Sequence, residues 1–374
     1  MKIAVPKETF PDERRVALVP VEVTKLVKNE FQIVVETDAG SDSSYTDQHF
    51  KEAGAEIVSS VNDFKSAQIV LKVRPPQEDE INTLPEGSLL ICFLEVLRDP
   101  SIAKRLAAQN ITAFALEMVP RISRAQSMDA LSSQASAAGY KAVLIAAEAL
   151  RKYFPMLTTA AGTIRPATVL VLGAGVAGLQ AIATAHRLGA QVEAFDIRKA
   201  TKGEVESLGA KFIDVDLGES GEAEGGYAKE LSEEAKQREH EILKEHIAKA
   251  DAVITTAAVP GKKAPLLVTE DMVAAMKPGS VIVDMAVEQG GNVAGSKAGE
   301  RVNVNDVTLI GPINLPSQMA IHTSQLFARN VVTLLNHVVK DNEIQLDFED
   351  EITKGACITH NGKVVHEYIT SLLN

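Results

Sequence analysis

At 374 residues, with 45% hydrophobic and 24% charged side chains, the chain suits roughly two or three domains and is too apolar for global disorder. Its 50 acidic residues exceed its 38 basic ones, and the net charge of −12 repels phosphate backbones and argues against nucleic acid as a main partner. Two cysteines, Cys92 and Cys357, supply neither a disulfide framework nor a metal-ligand cluster, so no metal is expected and a reducing compartment fits.

The opening MKIAVPKETF reads as a strand followed by charge, with no apolar signal region. Short β-branched runs then alternate with helical patterns, the mark of an α/β fold. Strands are expected over residues 2–5, 32–36, 69–73, 89–93 and 112–115. Helices are expected between them, over 21–28, 46–53, 61–65, 78–82 and 101–107. A long helical pattern over 128–153 follows, and Gly139 is a weak point in it unless small residues there serve close helix packing. A second series places strands over 168–172, 191–195, 252–255, 280–284 and 307–310, with a final helix over 318–340 returning towards the first domain. The tail carries Asn361-Gly362 between two short strand-like runs, a hairpin signal.

Two uncharged stretches, residues 166–185 and 307–328, are interrupted by Gly173, Gly175 and Gly178 and by Pro312 and Pro316 respectively. Both suit strand–turn–helix units of a buried sheet better than membrane spans. Residues 217–227, LGESGEAEGGY, lack a hydrophobic stripe and are expected to form a mobile surface loop.

The most informative motif runs from Thr168 to Asp196, TVLVLGAGVAGLQAIATAHRLGAQVEAFD. Gly173, Gly175 and Gly178 form G-x-G-x-x-G between an apolar strand and a small-residue helix. The first permits a tight turn, the second lets a pyrophosphate approach the backbone, and the third lets helix and strand pack closely. Asp196 ends the next strand, eighteen positions beyond Gly178. A carboxylate there accepts hydrogen bonds from ribose hydroxyls and repels a 2′-phosphate, which favours NAD(H) over NADP(H). Arg198 nearby is the opposing signal, since an arginine can receive a 2′-phosphate. The nucleotide positions expected from this unit are Gly173, Gly175, Val176, Ala177, Gly178, Asp196, Ile197 and Arg198. Ala257, Ala258 and Val259, in the loop after the strand over 252–255, are candidates for lining the nicotinamide end.

These residues carry a resemblance. IAVPKE with RRVALVP, the GAGVAGLQAIATA turn and VDMAVEQGG resemble the alanine dehydrogenase and transhydrogenase alpha-subunit superfamily over essentially the whole chain. PRISRAQSMDALSSQ, residues 120–134, and GGYAKE, residues 225–230, are similar to the nucleotide-proximal and mobile loops of the NAD(H)-binding subunit of proton-translocating transhydrogenase. The resemblance implies two doubly wound, Rossmann-like domains with largely parallel sheets joined by long helices. It suggests a first domain over 1–127 with 340–374 and an NAD(H)-binding domain over 128–339. It implies that Arg121, Gln126, Asp129 and Ser132 contact the dihydronicotinamide end, and that Gly226 and the aromatic tip Tyr227 meet the nucleotide. The bland alternative for Asp129 is a helix cap.

Departures within the superfamily separate its branches. Arg15 matches a substrate-carboxylate position of alanine dehydrogenase, and Glu288 stands at the position of that enzyme's aspartate. Its catalytic lysine and histidine, however, fall on Arg74 and Glu95. Arginine stays protonated and cannot shuttle a proton to an amine. The resemblance therefore implies direct hydride transfer from NADH held here to NADP⁺ on a partner chain, catalysed by holding the reacting atoms about 3–3.5 Å apart. It further implies separate membrane-spanning and NADP(H)-binding subunits, a homodimer, coupled proton translocation, and a peripheral location on the inner face of the plasma membrane through those partners. A stand-alone alanine or amino-acid dehydrogenase is the alternative activity, and a dinucleotide-sensing regulator the non-enzymatic one.

Overall fold

The computed structural model describes residues 1–215, 232–259 and 261–373. The chain divides into two α/β units, Met1–Gln134 with Pro316–Asn374, and Ala135–Leu315.

In the first unit six parallel strands lie in the order Thr112–Ala115, Leu89–Cys92, Ile69–Leu71, Lys2–Val5, Gln32–Glu36, Glu56–Val58. The antiparallel tail strands Cys357–His360 and Lys363–Val364 extend the Thr112–Ala115 edge. The hairpin between them turns at Asn361 and Gly362, with φ of 49° and 72°, as the Asn-Gly pair requires. The strands read as continuous apolar runs because both faces are buried. Ile3, Val5, Ile33, Val35, Ile69 and Leu71 enter one core layer, whereas Ala4, Val34, Val70 and Leu90 enter the opposite one. The helix Ala320–Val338 packs Phe327, Val331, Leu334, Leu335 and Val338 into the first of these layers. It thus returns to the first domain, and the division falls at residues 134/135 and 315/316 instead of at 127/128 and 339/340.

The second unit holds a seven-stranded sheet in the order Lys211–Phe212, Gln191–Phe195, Thr168–Leu172, Ala252–Thr255, Val281–Asp284, Val307–Ile310, Arg301–Val304. All neighbours are parallel except the last pair. The strand order reverses between Thr168–Leu172 and Ala252–Thr255, where doubly wound sheets open their ligand crevice. Val169, Val171, Val192 and Ala252 face one core layer, and Leu170, Leu172, Phe195 and Val253 the other.

The long helix spans Ala130–Ala149, shorter than its apolar pattern. Its Gly139 is a contact point: a Cβ there would lie 2.0 Å from the Ala177 carbonyl oxygen. Residues 61–65 form the 3₁₀ turn Val61–Phe64 and no α-helix. Among the described residues no helix is long and apolar enough to cross a membrane.

Candidate functional site

The glycine turn of the second unit sits at the strand-order switch. Gly173 adopts φ of +101°, a region that favours glycine, and its N–H donates to the Phe195 carbonyl at 2.8 Å. A Cβ at this position would meet Thr256 Oγ1 at 2.6 Å, and one on Gly178 would meet the Gly173 carbonyl oxygen at 1.8 Å. Thr256 fastens the turn from the neighbouring strand end, its hydroxyl donating to Gly173 O at 3.0 Å. Gly175 differs from both, because a Cβ there would meet nothing within 4 Å. It is the N-cap of the helix Val176–Arg187, to which it brings no capping side chain. Two glycines for packing and one beside open space, at the positive end of a helix, fit a dinucleotide pyrophosphate. Exposed Val176 and half-buried Ala177 open that helix.

Asp196 ends the adjacent strand and is 8% exposed. Its Oδ2 accepts from the Ala174 N–H at 2.7 Å, so the carboxylate is tied to the turn. Arg198 bonds it through its backbone N–H at 2.8 Å, Nε at 2.9 Å and Nη2 at 2.7 Å. The arginine that competed as a 2′-phosphate contact is thereby drawn onto Asp196. Ile197, between them, packs partly buried against the second core layer.

Ala257 and Ala258 leave the next strand, Ala258 being exposed. Their loop is held by Asn292, which the sequence did not single out. Asn292 is fully buried, accepts from the Ala257 N–H at 3.1 Å, and donates to the carbonyls of Ala257 at 2.8 Å and Pro265 at 2.7 Å. Asp284, also fully buried, accepts from the backbone N–H groups of Ala286, Asn292 and Val293 and from Ser296 Oγ, shaping the segment that presents Asn292. Glu288 in that segment accepts from the Asn314 N–H at 3.0 Å. Gly226 and Tyr227, with the loop over 217–227, lie outside the described residues.

Arg121, Gln126, Asp129 and Ser132 lie in the first unit. The 3₁₀ segment Ser123–Met128 buries Ala125 and Met128, three residues apart, and leaves Gln126 and Ser127 exposed between them. Asn330 Nδ2 donates to the Ser127 carbonyl at 2.8 Å. Arg124 pairs with Asp350; burial alone would raise that carboxyl, but the guanidinium and the N–H groups of Ile352 and Thr353 hold it down at about 2. Asp129 accepts from the Ser132 N–H at 2.8 Å and from Ser132 Oγ at 2.6 Å, so these two form the N-terminal cap of the helix Ala130–Ala149. The cap reading of Asp129 therefore holds in this structure.

Elsewhere in the first unit, Arg15 is 3% exposed and lies against Glu13, at 2.7 and 2.6 Å, and Gln134, at 2.8 Å. Arg74 Nη2 pairs with Glu95 Oε1 at 2.8 Å, and its Cζ lies 4.3 Å from the Phe10 ring centroid. Beneath them Lys72 is buried between Glu80, 2.9 Å, and Glu8, 3.6 Å. Burial would lower this ammonium, yet the two carboxylates outweigh it and raise it.

These features define a two-unit α/β chain with a dinucleotide-type turn in one unit and ion-paired crevice residues in the other. The chain belongs to the alanine dehydrogenase/PNT family: residues 4–138 match its N-terminal domain and residues 142–367 its C-terminal domain. It is 49% identical over 380 residues to the first of the separate polypeptides that make up NAD(P) transhydrogenase subunit alpha in Rhodospirillum rubrum, covering 99% of each chain. The solved structure of transhydrogenase from Sinorhizobium meliloti superposes with a TM-score of 0.87 at 43% identity, over 98% of this chain and 100% of that one. The alanine dehydrogenase of Mycolicibacterium smegmatis is more distant, 30% identical over 385 residues, covering 100% of this chain and 97% of that enzyme.

Proposed function

We propose that this chain is the NAD(H)-binding alpha subunit of a proton-translocating transhydrogenase and passes hydride directly to NADP⁺ held on a partner subunit. The observation that carries this reading is the Arg74–Glu95 pair, 2.8 Å apart, where alanine dehydrogenase would need a proton-shuttling lysine and a histidine. The guanidinium stays protonated, and the carboxylate next to it occupies the place of a substrate carboxylate. Glu13 does the same to Arg15. The nearby Lys72 ammonium is held charged between two carboxylates and releases no proton at neutral pH.

The nucleotide-holding parts, by contrast, are intact. Gly175 and the first turn of Val176–Arg187 would take the pyrophosphate, Asp196 the adenosine ribose, and Ala257 and Ala258 the nicotinamide end. Arg121, Gln126, Asp129 and Ser132 would orient the dihydronicotinamide carboxamide, Gln126 by an amide that bonds without giving up a proton. When bound, the dihydronicotinamide ring supplies the hydride, and the protein's role is positioning. The likeness to an alpha subunit divided between polypeptides supports separate membrane-spanning and NADP(H)-binding partners, a homodimer, and attachment to the inner face of the plasma membrane through them.

The test is stopped-flow mixing of this chain, an NADP(H)-binding partner subunit and both nucleotides, read as hydride exchange in the first turnover. Gln126→Ala is expected to slow exchange with little change in NADH affinity. Reduction of NAD⁺ by the chain alone in the presence of alanine would overturn the reading in favour of a dehydrogenase.

A further inference from the structure

Glu239 lies on the helix Glu233–Lys249, whose sequence EEAKQREHEILKEHIAK is charged on most of its surface. One stripe is buried: Ala235, Leu243 and Ile247 enter the same core layer as Leu172, Phe195 and Val215. Glu239 stands four residues after Ala235 and four before Leu243, so helical geometry puts it on that stripe, and it is only 9% exposed. Its Oε1 is sealed from solvent and has no hydrogen-bond partner. A buried polar atom left unpaired costs free energy, and such atoms in native proteins are commonly met by a ligand, an ion or water. The Asp196 carboxylate, at the strand end assigned to the ribose, faces it, and burial first, then that negative charge, push the Glu239 carboxyl up to about 7.

The other charged groups around this helix are engaged elsewhere. Arg198 bonds Asp196, Asp271 on the neighbouring helix Glu270–Ala275 holds Lys244 and His240, and Glu193 on the strand Gln191–Phe195 holds His246 and Lys211. Arg238, next to Glu239 on its own helix, is exposed.

We propose that Glu239 is a second ribose contact of the nucleotide site and works in its neutral form, so that NAD(H) affinity falls when its proton leaves. The inference rests on the assignment of NAD(H) to the glycine turn. Asp196 offers only acceptors, so it takes the ribose hydroxyl protons and leaves the hydroxyl oxygens unpaired. A neutral carboxyl can donate to one of those oxygens, which satisfies the orphaned Glu239 group. An ionised Glu239 has no proton to give and adds a second negative charge beside Asp196 in a sealed space. The same pair would also turn away a 2′-phosphate.

The experiment is NADH binding to the full chain by NADH fluorescence and by calorimetry at pH 6, 7 and 8, with wild type and Glu239→Gln. The amide copies the shape and hydrogen-bonding of the neutral acid and does not titrate. In wild type the Kd is expected to weaken about tenfold from pH 6 to pH 8, as loss of one proton near pH 7 requires. In E239Q it is expected to stay within about twofold over the same range and to match wild type at pH 6. A flat wild-type profile, which needs no variant, overturns the inference, and so does an E239Q profile with the wild-type slope. Failure of NADH to bind at pH 6 removes the nucleotide-site assignment itself and this inference with it, whereas tight binding with a flat profile removes only the inference.

Discussion

Gly139→Ala sets two physical arguments against each other. Gly139 lies inside the helix Ala130–Ala149, and helix propensity alone says that alanine there should stabilise the helix by about 0.5–1 kcal/mol. The packing says the reverse. The new Cβ would lie 2.0 Å from the Ala177 carbonyl oxygen, and the obstacle is backbone, 2.9 Å from the Ala177 carbonyl carbon as well. No rotamer change relieves such a clash, so one helix must move by more than an ångström. Overpacking of this kind costs about 1–3 kcal/mol or more, which exceeds the propensity gain. The net loss should be about 1–2 kcal/mol, a fall in Tm of about 3–6 °C for a unit of this size. Ala177 lies in the first turn of the helix that begins at Gly175, so the same movement should weaken NADH binding severalfold. Thermal unfolding followed by circular dichroism, with and without NADH, measures both effects. A Gly139→Ala protein that melts at or above the wild-type temperature would refute the packing argument and leave propensity as the stronger influence.

Three further outcomes follow from single residues. Asn292→Ala removes three buried hydrogen bonds and leaves the Ala257 and Pro265 backbone groups unpaired, so urea unfolding should show a loss of about 2–4 kcal/mol. Asp129→Asn should keep stability within about 0.5 kcal/mol, since asparagine caps as well as aspartate, while Asp129→Ala should lose about 1 kcal/mol. If the carboxylate also positions the nicotinamide end, D129N slows hydride exchange while its melting temperature stays put. Asp350, held at about 2 in the folded chain against an ordinary 3.8, contributes stability that is present above about pH 4 and lost as the pH falls through 2. Arg124→Ala should therefore move the acid-unfolding midpoint, followed by circular dichroism, to higher pH, and an unchanged midpoint would show that the guanidinium is not what holds the carboxyl down.

The central strands were legible because a parallel sheet buried on both faces needs uninterrupted apolar runs, and Val-, Ile- and Leu-rich tetrads such as VLVL and VIVD announce it. Arg301–Val304 was not legible, since RVNV is an antiparallel edge with alternate residues exposed and its polar members resemble a loop. Asp196 was found for a local reason, its fixed spacing from the glycine turn. Asn292 and Glu239 belong to the same region and escaped notice because their roles are set at a distance. Asn292 bonds residues 35 and 27 positions away. Glu239 is one acid in a highly charged helix until the fold turns its stripe inward.

Gly139 shows the same effect with the sign reversed. Local propensity marks it as a flaw, and only the approach of Ala177 makes it a requirement. Sequence periodicity reports which face a residue turns to the core, and therefore finds strands and turns whose logic closes within about thirty residues, the length of one βαβ unit. The residues that fix loops around a site answer to backbone brought in by another crossover. Their types, a lone asparagine after two glycines or a glutamate on an apolar stripe, acquire meaning only when the partner's carbonyl or carboxylate is in view.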